Sequence, residues 1–126
     1  MKFTLDARAG VNLIRAYSPR QITAGTQVLQ APCIITADTV VSDWPPHSLA
    51  ALTVADLDAL FALAPEIVLF GATGERSVSG EVRAAFDARR LAPEVMDLGA
   101  ACRTFNILVQ EERRVAAGLF LGREGA

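Results

Sequence analysis

A chain of 126 residues with 52% hydrophobic content is sized and composed for one domain, residues 1–126, with a packed interior. A single lysine (Lys2) and a net charge of −2 exclude a broad phosphate-binding surface, so no nucleic-acid partner is expected. Two cysteines and one histidine exclude a disulfide framework and give no metal-ligand spacing, so neither a metal nor a cofactor is expected.

Residues 1–10, MKFTLDARAG, lack the continuous apolar segment of a secretory signal. No run approaches the roughly 20 apolar residues of a transmembrane segment. The expectation is a cytoplasmic protein with Cys33 and Cys102 reduced. The next stretch reads as β-rich. Val11–Tyr17 mixes apolar and polar positions, and Thr26–Gln30, Cys33–Thr36 and Thr39–Asp43 are short β-branched runs punctuated at Gly25, Pro32 and Asp38. Such short spacing favours hairpins. Trp44-Pro45-Pro46 ends the region, because proline cannot donate to a ladder.

From Thr53 the period changes. Thr53 with Asp56 forms a capping pattern, Val54, Leu57, Leu60, Phe61 and Ala64 follow helical spacing, and Pro65 stops the helix. Ile67–Phe70 is a continuous apolar strand of the kind covered on both faces. The loop Gly71–Gly74 leads towards a helix near Ser79–Leu91, whose Arg83, Arg89 and Arg90, interleaved with Asp87, read as a solvated face. Strand Glu94–Met96, helix Ala100–Arg113 and strand Val115–Leu121 complete the chain. This alternation predicts a parallel α/β layer, although the pattern alone leaves the direction of the last strand open.

In such layers ligands sit beyond the carboxyl ends of strands, where helix N-termini face a crevice. If the strands before them are neighbours, Thr73, Asp97, Arg103 and Thr104 converge there, with Asn106 on the same helix face as Arg103. Arg103 beside free helix N–H groups suits a carboxylate or phosphate, so a small anion is the candidate ligand. The alternative, and the preferred one, is that Asp97 and Arg103 pair and pin the helix. Gly71–Gly74 lacks the spacing of a phosphate loop. Cys102 lies near a helix N-terminus beside Arg103, where a thiolate gains stability. Its spacing to Phe105 and Val109 places it instead on the core stripe, as a buried, inert thiol. His47 is assigned to a surface turn and Trp44 to the core.

The segment from Glu94 to Phe120 closely resembles a signature of a family of small, mostly uncharacterised bacterial and archaeal proteins that includes a mitochondrial respiratory complex I (NADH dehydrogenase) assembly factor. The matching residues are Val95-Met96-Asp97, Ala100-Ala101-Cys102-Arg103-Thr104-Phe105-Asn106, and Glu111 through Ala116. Upstream, Val68-Leu69-Phe70-Gly71 with Thr73-Gly74 is similar to the family's apolar strand and Gly-Thr-Gly loop, and Trp44 follows a hairpin as the family's tryptophan does. The chain departs from the pattern at Ala72, an insertion in the loop, at Leu98, where threonine is usual, and at Glu112, where glycine is usual. The resemblance implies a three-layer α/β fold: a central mixed five-stranded sheet with flanking helices and an extra β-rich N-terminal part. One central strand would run antiparallel, with Val115–Leu121 the natural candidate.

Three functional readings follow. The first is a non-enzymatic interaction or assembly module with a protein partner, resting on the resemblance and on the incomplete catalytic set. The second is a small-molecule or anion-binding protein using Thr73, Asp97, Arg103, Thr104 and Asn106, with or without weak enzymatic activity. The third, disfavoured by the Cys102 stripe, is a Cys102-based redox or acyl-transfer enzyme.

Overall fold

A computed structural model describes residues 11–74 and 76–122. The stretch read for a signal segment lies outside these residues. Of the short runs expected at the start of the chain, Cys33–Thr36 and Thr39–Asp43 pair with each other, whereas Val11–Tyr17 and Thr26–Gln30 pair through Gln21–Ala24, a strand absent from the sequence-based expectation. Strands β1 (Ile14–Ser18), β2 (Gln21–Ala24) and β3 (Gln27–Leu29) form an antiparallel three-stranded sheet. Pairing puts Tyr17, Ile22 and Leu29 on one face, and Ile22 and Leu29 are buried there.

A second sheet follows. Its strands are β4 (Cys33–Ile35), β5 (Val40–Val41), β6 (Ile67–Ala72), β7 (Glu94–Met96) and β8 (Val115–Phe120), in the order β5-β4-β8-β6-β7. Helices α1 (Leu57–Phe61), α2 (Gly80–Ala88) and α3 (Leu98–Gln110) flank it. The expected mixed five-stranded sheet and additional N-terminal β-structure are both present. β8 lies at the centre with every residue buried. Its direction differs from the expectation: β8 runs parallel to β6, and the strand opposing its neighbours is β4, antiparallel to β5 and β8. Crossover length decides this. A 13-residue helix spans about 20 Å, enough to carry the chain from the end of β7 back to the starting edge, whereas β4 and β5 are joined by a tight local turn.

Alternation along the strands divides the core in two. Leu69, Ala117 and Leu119 face α3, meeting Ala101, Cys102 and Phe105, with Ile22 and Leu29 of the three-stranded sheet beside them. Val68, Phe70, Ala116 and Phe120 face Trp44, Leu57, Leu60, Val82 and Phe86 on the opposite side. Trp44 is 3% exposed, stacks on Phe70 and donates its indole N–H to the Asp56 carbonyl at 3.0 Å. It is core, as its size suggests.

Local signals explain the helix starts. Ser79 caps α2 by accepting from Val82 N at 3.2 Å. Thr53 and Asp56 make the reciprocal capping bonds, but residues 54–56 form a turn and the helix itself begins at Leu57. α3 starts two residues before the sequence-based expectation, because Asp97 rather than a later residue is its N-cap. Gly71 sets the approach of α3 to the sheet: a Cβ there would lie 2.7 Å from the Ala101 Cβ.

Candidate functional site

Strands β6, β7 and β8 are parallel, so their carboxyl ends share one edge, where Thr73 and Asp97 follow β6 and β7. Asp97 spends one oxygen on its own helix, Oδ1 accepting from Ala100 N at 2.7 Å. Arg103 is exposed, and its Nη1 donates to the Tyr17 hydroxyl at 2.7 Å. Both side chains flank Gly99, where an added Cβ would lie 3.6 Å from Asp97 Oδ1, 3.2 Å from Arg103 Nη1 and 3.1 Å from the Tyr17 ring. Asp97 and Arg103 form no ion pair. The expected pin of the helix is instead made by Arg103 across to β1.

Asn106 has a different task. Its carboxamide accepts from Ile14 N at 2.8 Å and donates to Ile14 O at 2.9 Å, completing for β1 the pair of bonds that a neighbouring strand would give. Thr104 is half-buried and Thr73 exposed. The Thr73 hydroxyl sits near the far end of the β1–β2 turn, 3.8 Å from an added Cβ on Gly122, whose N–H donates to Pro19 O at 2.7 Å. The edge therefore gathers Asp97, Arg103 and Tyr17 around the start of α3, with Thr73 beside Gly122. Tyr17 and Gly122 were not foreseen; Tyr17 lies 86 residues from Arg103, and no local pattern signals such a pairing. A polar cavity of about 510 Å³ opens next to this edge, lined by Ser18, Arg20, Gln21, Gln30 and Gly122 and by none of the five predicted residues.

The thiols lie in the core. Burial pushes Cys102 up to about 11 although the adjacent Arg103 guanidinium pulls it down, and burial with the nearby Cys102 raises Cys33 to about 12. A thiol so protonated at neutral pH is a poor nucleophile, which removes the basis for a Cys102 enzyme. His47 is exposed in a turn region. Among the described residues no group of three His, Cys, Asp or Glu side chains could hold a metal ion, and no helix is long and apolar enough to cross a membrane.

The opposite edge, where β6 and β8 begin, is held by Glu66. Its carboxylate accepts from Arg113 Nη2 at 3.1 Å and from Arg114 N at 3.0 Å. The Arg114 backbone bond and the Arg113 side chain hold the carboxyl below its ordinary range.

The chain belongs to the family described as protein of unknown function (DUF498/DUF598), matching it over residues 14–120. It is 34% identical over 117 residues to NADH dehydrogenase (ubiquinone) 1 alpha subcomplex assembly factor 3 of Danio rerio, covering 90% of this chain and 66% of that protein. The chain thus spans somewhat less than two thirds of this relative's length. The solution structure of Xanthomonas campestris XCC1710 superposes with a TM-score of 0.80 at 34% identity, covering 97% of this chain and 93% of the other. A Bordetella pertussis protein described as a Mth938-like domain gives a TM-score of 0.78 at 26% identity, covering 96% and 92%.

Proposed function

We propose that this chain is a non-enzymatic interaction module that helps assemble a membrane respiratory complex by binding a protein partner. The observation carrying this reading is the 34% identity, over 90% of the chain, to a protein named as an NADH dehydrogenase assembly factor. The buried, protonated thiols support it by removing the nucleophile that the enzyme reading required. Deleting the gene in its native cells tests the proposal. The expected result is less assembled NADH dehydrogenase on native gels, with subassemblies accumulating and the plasmid-borne chain restoring the complex. Unchanged assembly would refute it.

A second reading, anion binding at the carboxyl edge, draws support from the exposed Arg103 lying within the first two turns of α3. Thr73, Asp97 and Thr104 would complete the site, whereas Asn106 would contribute indirectly by fixing β1 against the helix. Thermal melts with phosphate, sulfate and small carboxylates separate the two. Stabilisation by one anion, lost in Arg103→Ala with the fold intact, would favour this reading; no anion-dependent shift would dismiss it.

A further inference from the structure

Strands β6, β7 and β8 begin at one edge of the sheet, and each is fed by a helix through a non-glycine residue at left-handed backbone angles. These are Ala64 (φ 53), Arg90 (φ 55) and Glu112 (φ 63). A Cβ disfavours that conformation, which here closes the C-terminal end of each helix and turns the chain into the next strand. Two cavities, of about 280 and 380 Å³, open between these corners and share Pro65. Their lining is polar and apolar in about equal parts, with Leu63, Val115, Phe61 and Leu91 supplying apolar side chains. Their charged lining is Arg89, Arg90, Arg113 and Arg114 against Asp38, Glu66 and Glu112, so this edge is net positive on a chain whose net charge is −2.

Helix C-termini attract cations, which accounts for arginines at this edge. Most are already engaged. Arg113 and Arg114 hold Glu66, and the Arg89 guanidinium lies 4.0 Å above the Phe61 ring. The Arg90 backbone N–H donates to Asp87 O at 3.0 Å, but its side chain makes no hydrogen bond or ion pair among the described residues, so its charge is left over beside Phe61 and Leu91.

From this juxtaposition we infer that the double cavity at the strand-entry edge docks a segment of the partner protein that alternates acidic and aliphatic side chains. The carboxylates would meet Arg90 and the arginine rim, and the aliphatic groups would cover Leu63, Pro65 and Leu91. The inference rests on the assembly reading and names the surface and the partner chemistry.

The test is a titration of the ¹⁵N-labelled chain with three capped hexapeptides, alternating leucine with glutamate, with glutamine or with lysine. The glutamate peptide should shift amides at 63–66, 89–91 and 112–115. It should bind about tenfold more tightly than the lysine peptide, weaken with salt, and lose its advantage in Arg90→Glu. Equal binding of all three peptides, no binding, or shifts confined to the opposite edge would overturn the assignment. The wild-type comparison stands even if the variant folds poorly. A tagged chain that recovers its partner undiminished after Arg90→Glu would also overturn the groove while leaving the assembly reading intact. Glutamate-selective binding with no effect of gene deletion would do the reverse.

Discussion

Cys102 sits beside an arginine in the first turns of a helix, a setting that elsewhere activates thiols, yet burial outweighs both influences. Mild alkylation at neutral pH should therefore label neither cysteine until the chain is unfolded; rapid labelling of the native protein would contradict the assignment. The same burial sets an alkaline limit. Folded thiols keep their protons to about 11 and 12, while unfolded ones release them near 9.0. Their contribution is thus fully present below pH 9 and fades as pH rises through the folded values. Unfolding midpoints in urea should fall above pH 9, less steeply in Cys33→Ala. Glu66 has the opposite sign. Its lowered value makes its bonds to Arg113 and Arg114 stabilising above about 4.5, an effect lost as acid protonates it, so wild type and Glu66→Gln should converge at low pH. At Glu112 the left-handed angle penalises any Cβ, and Glu112→Gly should stabilise the fold by about 1 kcal/mol in chemical unfolding.

At the scale of elements, α3 is fixed against both sheets by contacts that can be broken separately. Asn106→Ala would leave the backbone polar groups of Ile14 without partners and should cost about 1–3 kcal/mol. Gly71→Ala would push a methyl into Ala101 and Leu119 and should cost a similar amount, about 1–3 kcal/mol by overpacking. Gly80→Ala, with no atom within 4 Å of the new methyl, is the control and should be near neutral. Denaturant melts of the three variants check this ordering. Much at this scale was legible. The apolar runs announced β6 and β8, Ser79 marked the start of α2, and the Cys102, Phe105, Val109 stripe gave the buried face of α3. The direction of β8 was not legible, because it depends on which edge α3 returns to and no residue within β8 encodes that. The start of α3 was misplaced because Gly99, a poor helix former, lies in its first turn. The residue grouping at the carboxyl edge was only half legible: the loops after parallel strands put Thr73 and Asp97 there, but Tyr17 arrives from a different sheet and Asn106 is taken up by β1.

For the whole molecule, β8 is the element on which both cores rest, with Ala117 and Leu119 on one side and Ala116 and Phe120 on the other. Amides of Val115–Phe120 should exchange among the slowest in the protein, and rapid exchange there would contradict a central strand. A sheet with both faces covered leaves its edges and the outer side of α3 exposed, the surfaces the proposed assembly role would use. The central claim is that this role engages a protein. Affinity purification of the tagged chain from its native cells, after brief cross-linking and with proteins and metabolites both detected, tests it most directly. The account predicts one protein partner recovered in near-stoichiometric amount; a chain that elutes alone, carrying only a small anion, would contradict it.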